Sequence, residues 1–566
     1  MIIEILNRTI NKAFKNAGYE IDNTKVVKSN RPDLCDYQCD DIFKLVKEYK
    51  KNPMIIGEEI INEINKLENF KDIFEVVEFV KPGFINMKVS AKFINKYIRN
   101  IGDDIKALID TPNKPETFVL DFGGANVAKP LHVGHMRTIL VGESIARTIR
   151  FMGHKTISDV HLGDYGLQIG QVIYGIKRDG LESKDINIKY LDKIYPEMSG
   201  LCKNNEDIKE ECAQITKELQ EGNEEYKKLW KIILETSIKD IKKNYDFLGA
   251  NFDYWYGESD AYLYLKKVED RFNKANILKE SRGAYIVDVQ NDNDKTTIPP
   301  LLFKKSNGAY LYASTDLATI EQRVEDFNPE HILYVVDNRQ ALHFEQVFRS
   351  SYLSGLIKKG SLEHLGYGTV NGLDGKPYKT RNGDNPKLEG LFEQCKEIFI
   401  SKKEENKDKS NEDLNKIVNS ILKFADLQNS REKDYIFDLN KFSDISGKTG
   451  PYILYTYLRI NKILTEEKFE TKLSDNIYNN FDRELRLKML GYAEAIEMAF
   501  NERMPHYLAD YVYNLCVASN VFYQNNRISG MTDEIKKQDW LTLLSISNKI
   551  IKNVLDLLGI EIPTIM

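Results

Sequence analysis

Between residues 118 and 163 the chain runs FVLDF, then GGANVAKPLHVGH, then a helical stretch to about Met152, then HKTISDVHLG. This order of strand, glycine-containing loop, helix and strand constrains the fold more than any other segment, because it is the opening of a nucleotide-binding βαβ unit. In the helical part Ile139, Gly142, Ala146, Ile149 and Gly153 recur at a 3, 4, 3, 4 spacing, which puts them on one face. Small residues on that face let the helix lie close to a sheet. Its N-terminus then points into a crevice, where backbone N–H groups and the helix dipole favour anions.

The rest of the chain divides around this unit. At 566 residues it exceeds a typical domain, so about three or four packed units are expected. Residues 1 to about 110 read as mixed α/β, with a helical start and a helical stretch around FKLVKEYKKNP. The alternating segment FEVVEFV ends at the turn Lys81-Pro82-Gly83, and in the following FINMKVS, Phe84, Asn86 and Lys88 alternate with Ile85, Met87 and Val89 as in a strand. DTPNKPET, at 110–117, is rich in turn formers and marks a boundary. From about 180 to 250 a Lys- and Glu-rich helical stretch reads as an insertion; a second α/β block follows, with strand candidates in IPPLLF and HILYVV, and closes near KPYKTRNG. The polar run SKKEENKDKSNED, 401–413, reads as a solvated loop or linker, and from about 414 helical periodicity dominates.

Composition narrows the class. Hydrophobic residues at 42% with 29% charged fit a globular protein, and no apolar run approaches the roughly 18 residues of a membrane span, so a cytoplasmic protein is expected. The cysteines, Cys35, Cys39, Cys202, Cys212, Cys395 and Cys516, form no CxxC pair and are too few for a disulfide scaffold, so a reducing compartment and no structural zinc are expected. The net charge of −6 repels polyanions overall, so RNA binding would rest on local basic faces, shape and specific contacts.

The sharpest chemical feature is HVGH, His132 to His135, where strand hands over to helix. Two imidazoles one turn apart, beside a glycine that lets a phosphate approach, suit stabilisation of charge developing on a nucleotide. Alone, the motif is weak, because histidine more often serves as a packed core residue. Its surroundings strengthen it: DFGGANVAKPLHVGH, Asp121 to His135, resembles the signature of the class I aminoacyl-tRNA synthetases, and among them the arginine enzymes, in which an acidic residue is followed by Ser-Pro-Asn, Ala-Lys-Pro and HVGH or HIGH. HLGDYGLQIG, 161–170, is similar to that family's HVGDWGTQFG, and FDYWYGES, 252–259, to its FD...GES. LCDYQCDDIFKLVKEYKKNP and KPGFINMKV resemble its N-terminal domain, while GKTGPYILYTYLRI and the final LLGIEIPTIM resemble its anticodon-binding bundle.

The resemblance implies an α/β multidomain protein: a Rossmann-like parallel-sheet catalytic domain over 111–400, an α/β N-terminal domain over 1–110 that approaches the outer corner of the tRNA, and an all-helical anticodon-binding bundle over 414–566, where Tyr452 or Tyr455 is a candidate to stack on a base. It further implies ATP-dependent attachment of L-arginine to tRNA(Arg) through arginyl-adenylate, with Mg2+ accompanying ATP, no protein zinc site, no membrane partner and a monomeric state.

Arginine's planar guanidinium calls for a carboxylate that takes two parallel hydrogen bonds, plus neutral acceptors for the remaining N–H groups. Tyr312 and Asp316, in YASTDLA, match Tyr and Asp of the family's YLTRDLA, and Gln340, in YVVDNRQALHF, matches the glutamine of YVVDxRQ. By resemblance these three hold the guanidinium side, while Asn126 and His135 approach the amino acid's backbone end. Other readings stay open: Tyr312 as core, and Asp316 as N-cap of a helix over LATIEQRV. The KMSK signature of many class I enzymes is missing, and DGKPYKTRNG, 374–383, is similar to the arginine family's DGKPFKTRxG. Its Lys376, Lys379 and Arg381, with His132, Gly134 and His135, are the ATP-binding candidates, unless that segment is a solvated surface turn. Lys129, held in the loop by Pro130, is a further phosphate or carboxylate contact. Three departures bear on arginine affinity: Gly123-Gly124-Ala125 for a Ser-containing triplet, Asp121 for Glu, and Thr315 for Arg. Two rivals remain: another enzyme with an HxGH site, and a non-catalytic RNA-binding paralogue.

Overall fold

The computed structural model describes residues 2–31, 33–378, 387–402 and 404–566. Packing sorts the chain into two compact units, one of residues 1–110, 453–501 and 507–555, the other of 111–452, 502–506 and 556–566.

In the first unit, β1 (Val26–Lys28), β2 (Tyr37–Cys39), β3 (Phe74–Val80) and β4 (Phe84–Val89) form an antiparallel sheet in the order β1-β2-β4-β3. The hairpin at Lys81-Pro82-Gly83 follows the alternation read from FEVVEFV and FINMKVS, with Ile85, Met87 and Val89 buried. Helices from the far end of the chain complete this unit. Arg483, on the helix Asn480–Leu490, donates to Asp36 Oδ2 at 2.6 Å and Val89 O at 2.8 Å. One turn on, the fully buried Arg486 donates to Asp482 Oδ1 at 2.6 Å and Asn95 Oδ1 at 2.5 Å. A buried guanidinium is tolerated only with such partners, so this interface has one register.

The second unit holds a parallel sheet of β5 (Thr117–Asp121), β6 (Lys155–Asp159), β10 (His331–Tyr334) and β11 (Leu362–His364), with an antiparallel sheet of β7 (Leu278–Ser281), β8 (Ala284–Val287) and β9 (Leu301–Lys304) beside it in the chain. The parallel order is β11-β10-β5-β6. β5 therefore lies between the strand that follows it and one far downstream, the switch point where α/β sheets bind ligands beyond the strands' carboxyl ends.

The helix after β5 spans Val133–Phe151, and Ile139, Ala146 and Ile149 on its small-residue face are buried. A Cβ on Gly142 would overlap the ring of Phe122, just past β5, so the glycine sets how closely helix and strand approach. Gly142→Ala should destabilise the protein by about 1–3 kcal/mol through overpacking. A lower urea midpoint at unchanged slope would register this; an unchanged midpoint would mean that the helix has room to move.

The insertion folds as three helices, Ile188–Asn204, Glu206–Glu221 and Glu224–Phe247. They pack on the helix Leu167–Asp179, where Cβ atoms on Gly170 and Gly175 would strike Cys212 and Ile194 respectively. The six cysteines are buried and free. The run at 401–413, read as a solvated loop or linker, is mostly exposed, but it is not all loop: a 3-10 helix spans Glu404–Asp408, and buried Asn406 donates to Phe399 O at 2.9 Å. One buried amide ties down a segment whose composition reads as solvent-facing. Within the helical C-terminal part, Tyr435–Ile436 pairs in parallel with Val370–Asn371. No described helix is long and apolar enough to cross a membrane.

Candidate active site

β5, β6 and β10 end on Asp121, Asp159 and Tyr334 at one edge of the parallel sheet. Behind them lies Arg323, fully buried, from the helix Tyr312–Phe327; it donates to Asp121 Oδ2 at 2.7 Å and Asp159 Oδ2 at 2.5 Å, with the Tyr334 ring 5.4 Å away. Asp121 and Asp159 thus share one guanidinium from inside the protein, and burial still raises the pKa of Asp121 above the ordinary carboxylate value.

In front of this triad opens a cavity of about 460 Å³, lined among the described residues by the carboxylates of Asp121, Glu258, Asp316 and Asp337. Asp337 is held by Arg339 through Nε at 2.8 Å and Nη2 at 2.7 Å. Asp316 accepts from His343 Nε2 at 2.5 Å, a bond that raises the histidine's pKa above its ordinary value. Glu258 has no lysine or arginine partner among the described residues. Burial pushes its carboxyl up to about 7; His161 opposes the rise, and Asp164 and Asp316 add to it. A carboxylate screened from water without a resident cation gains most from a cation that enters.

Two sequence motifs interlock to hold Glu258 there. Glu258 N donates to Leu162 O at 3.0 Å, and Ser259 N and Oγ donate to the Asp164 carboxylate at 3.0 and 2.6 Å. A Cβ on Gly257 would stand 2.6 Å from Asp164, and one on Gly163 would overlap Asn126 Oδ1. Val127 N donates to Gly163 O at 3.0 Å, so Asn126 is anchored to the same turn and lines the cavity. Gly123 sits at φ 71°, a conformation glycine adopts without penalty, and accepts from the Tyr245 hydroxyl.

Tyr312 and Asp316 occupy the first turns of their helix four residues apart, hence on one side, and both line the cavity. Tyr312 is 68% exposed and is not core. The helix starts at Tyr312 with Leu311 as N-cap, so Asp316 is not a cap and its oxygens are left to His343 and the cavity. Thr315 turns its hydroxyl back to Tyr312 O at 2.9 Å. Gln340, ending the 3-10 turn Asn338–Gln340, lines the same space.

A second cavity of about 300 Å³ shares Asp337 and Tyr367 with the first and is lined by His132, Gly134 and Arg137. Gly134 N donates to His132 Nδ1 at 3.0 Å, and His132 N to His135 Nδ1 at 3.1 Å. Because each Nδ1 is an acceptor, each neutral ring carries its proton on Nε2. Burial and the charge of Lys129 lower the pKa of His132; burial, His132 and Lys129 bring His135 down to about 3. The rings lie 4.0 Å apart, two neutral N–H donors at a helix N-terminus. A Cβ on Gly134 would stand 2.8 Å from the His132 ring, so this glycine makes the cap possible. Arg137 braces the wall: buried, it donates to Lys433 O at 2.8 Å, with the Tyr435 ring 5.0 Å away.

Of the residues singled out in the sequence, Asn126, Tyr312, Asp316 and Gln340 meet in the first cavity and His132 and Gly134 in the second. His135 packs against His132 with the rings tilted by 45°, and neither His135 nor Lys129, whose charge acts on both rings, lines either cavity. Lys376 is exposed on a turn closed by Gly372 N donating to Lys376 O at 2.7 Å. Lys379 and Arg381 lie outside the described residues. Sequence reasoning missed Glu258, although it stands in the quoted GES motif, and His343, three residues after Gln340. It also missed Arg323, for which no local signal exists.

Residues 101–439 match the family of class I tRNA synthetases (R), catalytic domain; 453–566 match the DALR anticodon binding domain, and 1–89 the arginyl tRNA synthetase N terminal domain. A protein of Alkaliphilus oremlandii named arginine–tRNA ligase is 39% identical, covering 100% of this chain and 99% of that one. One of the same name from Agathobacter rectalis is also 39% identical, with 99% of each covered. The crystal structure of arginyl-tRNA synthetase from Plasmodium falciparum superposes with a TM-score of 0.82 at 25% identity over 100% of this chain and 99% of that one. The Thermus thermophilus arginyl-tRNA synthetase, at 22% identity and 100% of both chains, shares the fold with a TM-score of 0.80. Matched end to end by relatives at such identity, this chain belongs to the class I arginyl-tRNA synthetases.

Proposed function

We propose that the chain attaches L-arginine to tRNA(Arg) at the expense of ATP, with the anionic cavity receiving arginine's side chain and the neighbouring cavity receiving MgATP. The observation that carries this reading is Glu258, a half-buried carboxylate with no lysine or arginine partner among the described residues, facing the same space as Asp316, Tyr312 and Gln340. Two acidic groups with neutral acceptors around them suit a forked cation. A lysine ammonium would leave some of these acceptors unpaired, and sites of this kind reject such analogues by roughly 10⁴ to 10⁵.

In the first step arginine's carboxylate attacks the α-phosphate, giving arginyl-adenylate and diphosphate; in the second the tRNA's terminal 2′-hydroxyl takes the arginyl group and AMP leaves. Asn126 and His135 orient the amino acid's backbone end. The Nε2–H groups of His132 and His135, with the helix N-terminus at Gly134, stabilise charge growing on the phosphates, and neutral rings do this without exchanging protons. Lys129, Lys376, Lys379 and Arg381 supply cations for the triphosphate; Mg2+ enters with ATP. Residues 1–110 receive the outer corner of the tRNA and the C-terminal helices its anticodon, with Tyr455, 41% exposed, available to stack on a base. The protein acts as a monomer in the cytoplasm.

Diphosphate exchange with each amino acid in turn, in the presence of tRNA, tests the reading: exchange driven by another amino acid and not by arginine would sink it. The charge state of Glu258 adds a pH dependence. Ionised Glu258 attracts the guanidinium and protonated Glu258 does not, so the KM for arginine should be level above about pH 8 and climb by up to about tenfold per unit below 7. Glu258→Gln should raise KM at pH 8 and flatten the slope. A wild-type KM constant from pH 6 to 8 would count against Glu258.

A further inference from the structure

Asp316 holds one of its oxygens in a bond that belongs to the protein, and this decides how the other is offered. A carboxylate on a single rotatable bond turns through a broad, roughly two-fold well, so its position alone does not fix which edge faces a ligand. His343 Nε2 donates to Asp316 Oδ2 at 2.5 Å, and both residues line the cavity. His343 is itself well held. It lies in the first turn of the helix Ala341–Leu353, its ring edge-on to Phe344 at 5.4 Å. Phe344 is buried and packs on Tyr334 at 4.9 Å and, stacked, on His364 at 5.3 Å, so β10 and β11 anchor the start of this helix. Gln340, three residues earlier, is on the same side and lines the same cavity.

We propose that His343 is a specificity-determining positioning residue: its Nε2–H pins Oδ2 of Asp316, so that Oδ1 and the remaining lone pair of Oδ2 form a fixed two-point edge for a planar, forked cation. An ionised carboxylate has about four lone-pair sites, so one histidine bond and a two-point fork fit together. A pinned edge favours a guanidinium over an ammonium, because a fork needs two acceptors in register and a point charge needs none. The inference rests on the reading of Asp316 as the guanidinium acceptor. His343 itself stays a positioning residue that acts through Asp316.

Five variants test it by steady-state aminoacylation at pH 8. His343→Ala should raise the KM for arginine about 10- to 100-fold, the range for losing a charge-assisted hydrogen bond, with kcat and the KM for ATP within about threefold. His343→Gln, whose Nε2 amide reaches nearly the same point, should recover most of that loss. In an Asp316→Asn background, His343→Ala should add little, since the residue acts only through the carboxylate. An unchanged arginine KM in His343→Ala, where Asp316→Ala is impaired, overturns the positioning role and leaves the arginine pocket intact. Equal loss of kcat and melting temperature in the Ala and Gln variants also overturns it, in favour of a structural role. An unaffected arginine KM in Asp316→Ala overturns the reading beneath it.

Discussion

Asp316→Ala should raise the KM for arginine about 10²- to 10³-fold, the consequence of stranding one partner of a desolvated, hydrogen-bonded charge pair, while the KM for ATP moves less than about threefold. Two effects combine. The guanidinium loses its two-point acceptor, and His343 loses the carboxylate that holds its ring in place and raises its pKa. A third effect works the other way: Asp316 is among the charges that push Glu258 up, so its removal lets Glu258 ionise more readily. Measurement at pH 8, where Glu258 is ionised in both proteins, separates this compensation from the loss. ATP should bind almost normally, because Asp316 does not line the cavity at HVGH. An arginine KM unchanged at that pH would remove Asp316 from the site.

His132→Ala should lower kcat by about 10²- to 10³-fold, as expected when one aimed donor is taken from a developing negative charge. The ring has two tasks, and one substitution confuses them. Its Nδ1 caps the helix Val133–Phe151 by accepting from Gly134 N, and a lost cap destabilises by about 1 kcal/mol. Its ring also lines the second cavity. Asparagine is a good N-cap but too short to replace Nε2, so His132→Asn should keep the melting temperature near that of the native protein and still lose most of kcat. Full activity in His132→Asn would reduce the histidine to a cap. Since burial already keeps His135 neutral, with a pKa of about 3, the kcat profile should show no inflection from that residue between pH 6 and 8.

Much of this architecture was legible because it is recorded locally. Alternation in FEVVEFV and FINMKVS marks which side of each strand is buried, and the β3–β4 hairpin follows. The small-residue stripe from Ile139 to Ile149 is what a helix needs to lie against a strand, and Gly142 meets Phe122 there. The polar run at 401–413 is mostly exposed, as its composition reads, but composition reports average solvation and does not show its 3-10 turn or its buried Asn406 and Asp413.

By itself the sequence determined the strand–loop–helix order, the glycines that let His132 and Glu258 sit where they do, and the motifs that carry the family resemblance. All of these depend on steric and hydrogen-bonding relations between near neighbours. Tertiary structure alone decided which charges are already spent. Arg323 reaches Asp121 and Asp159 across separations of 202 and 164 residues, which leaves Glu258 and Asp316 facing the open cavity and gives His343 its carboxylate. Side-chain spacing records which face of an element is buried; the partner found on that face depends on where distant elements come to rest, and on the energetic demand that buried charges be paired.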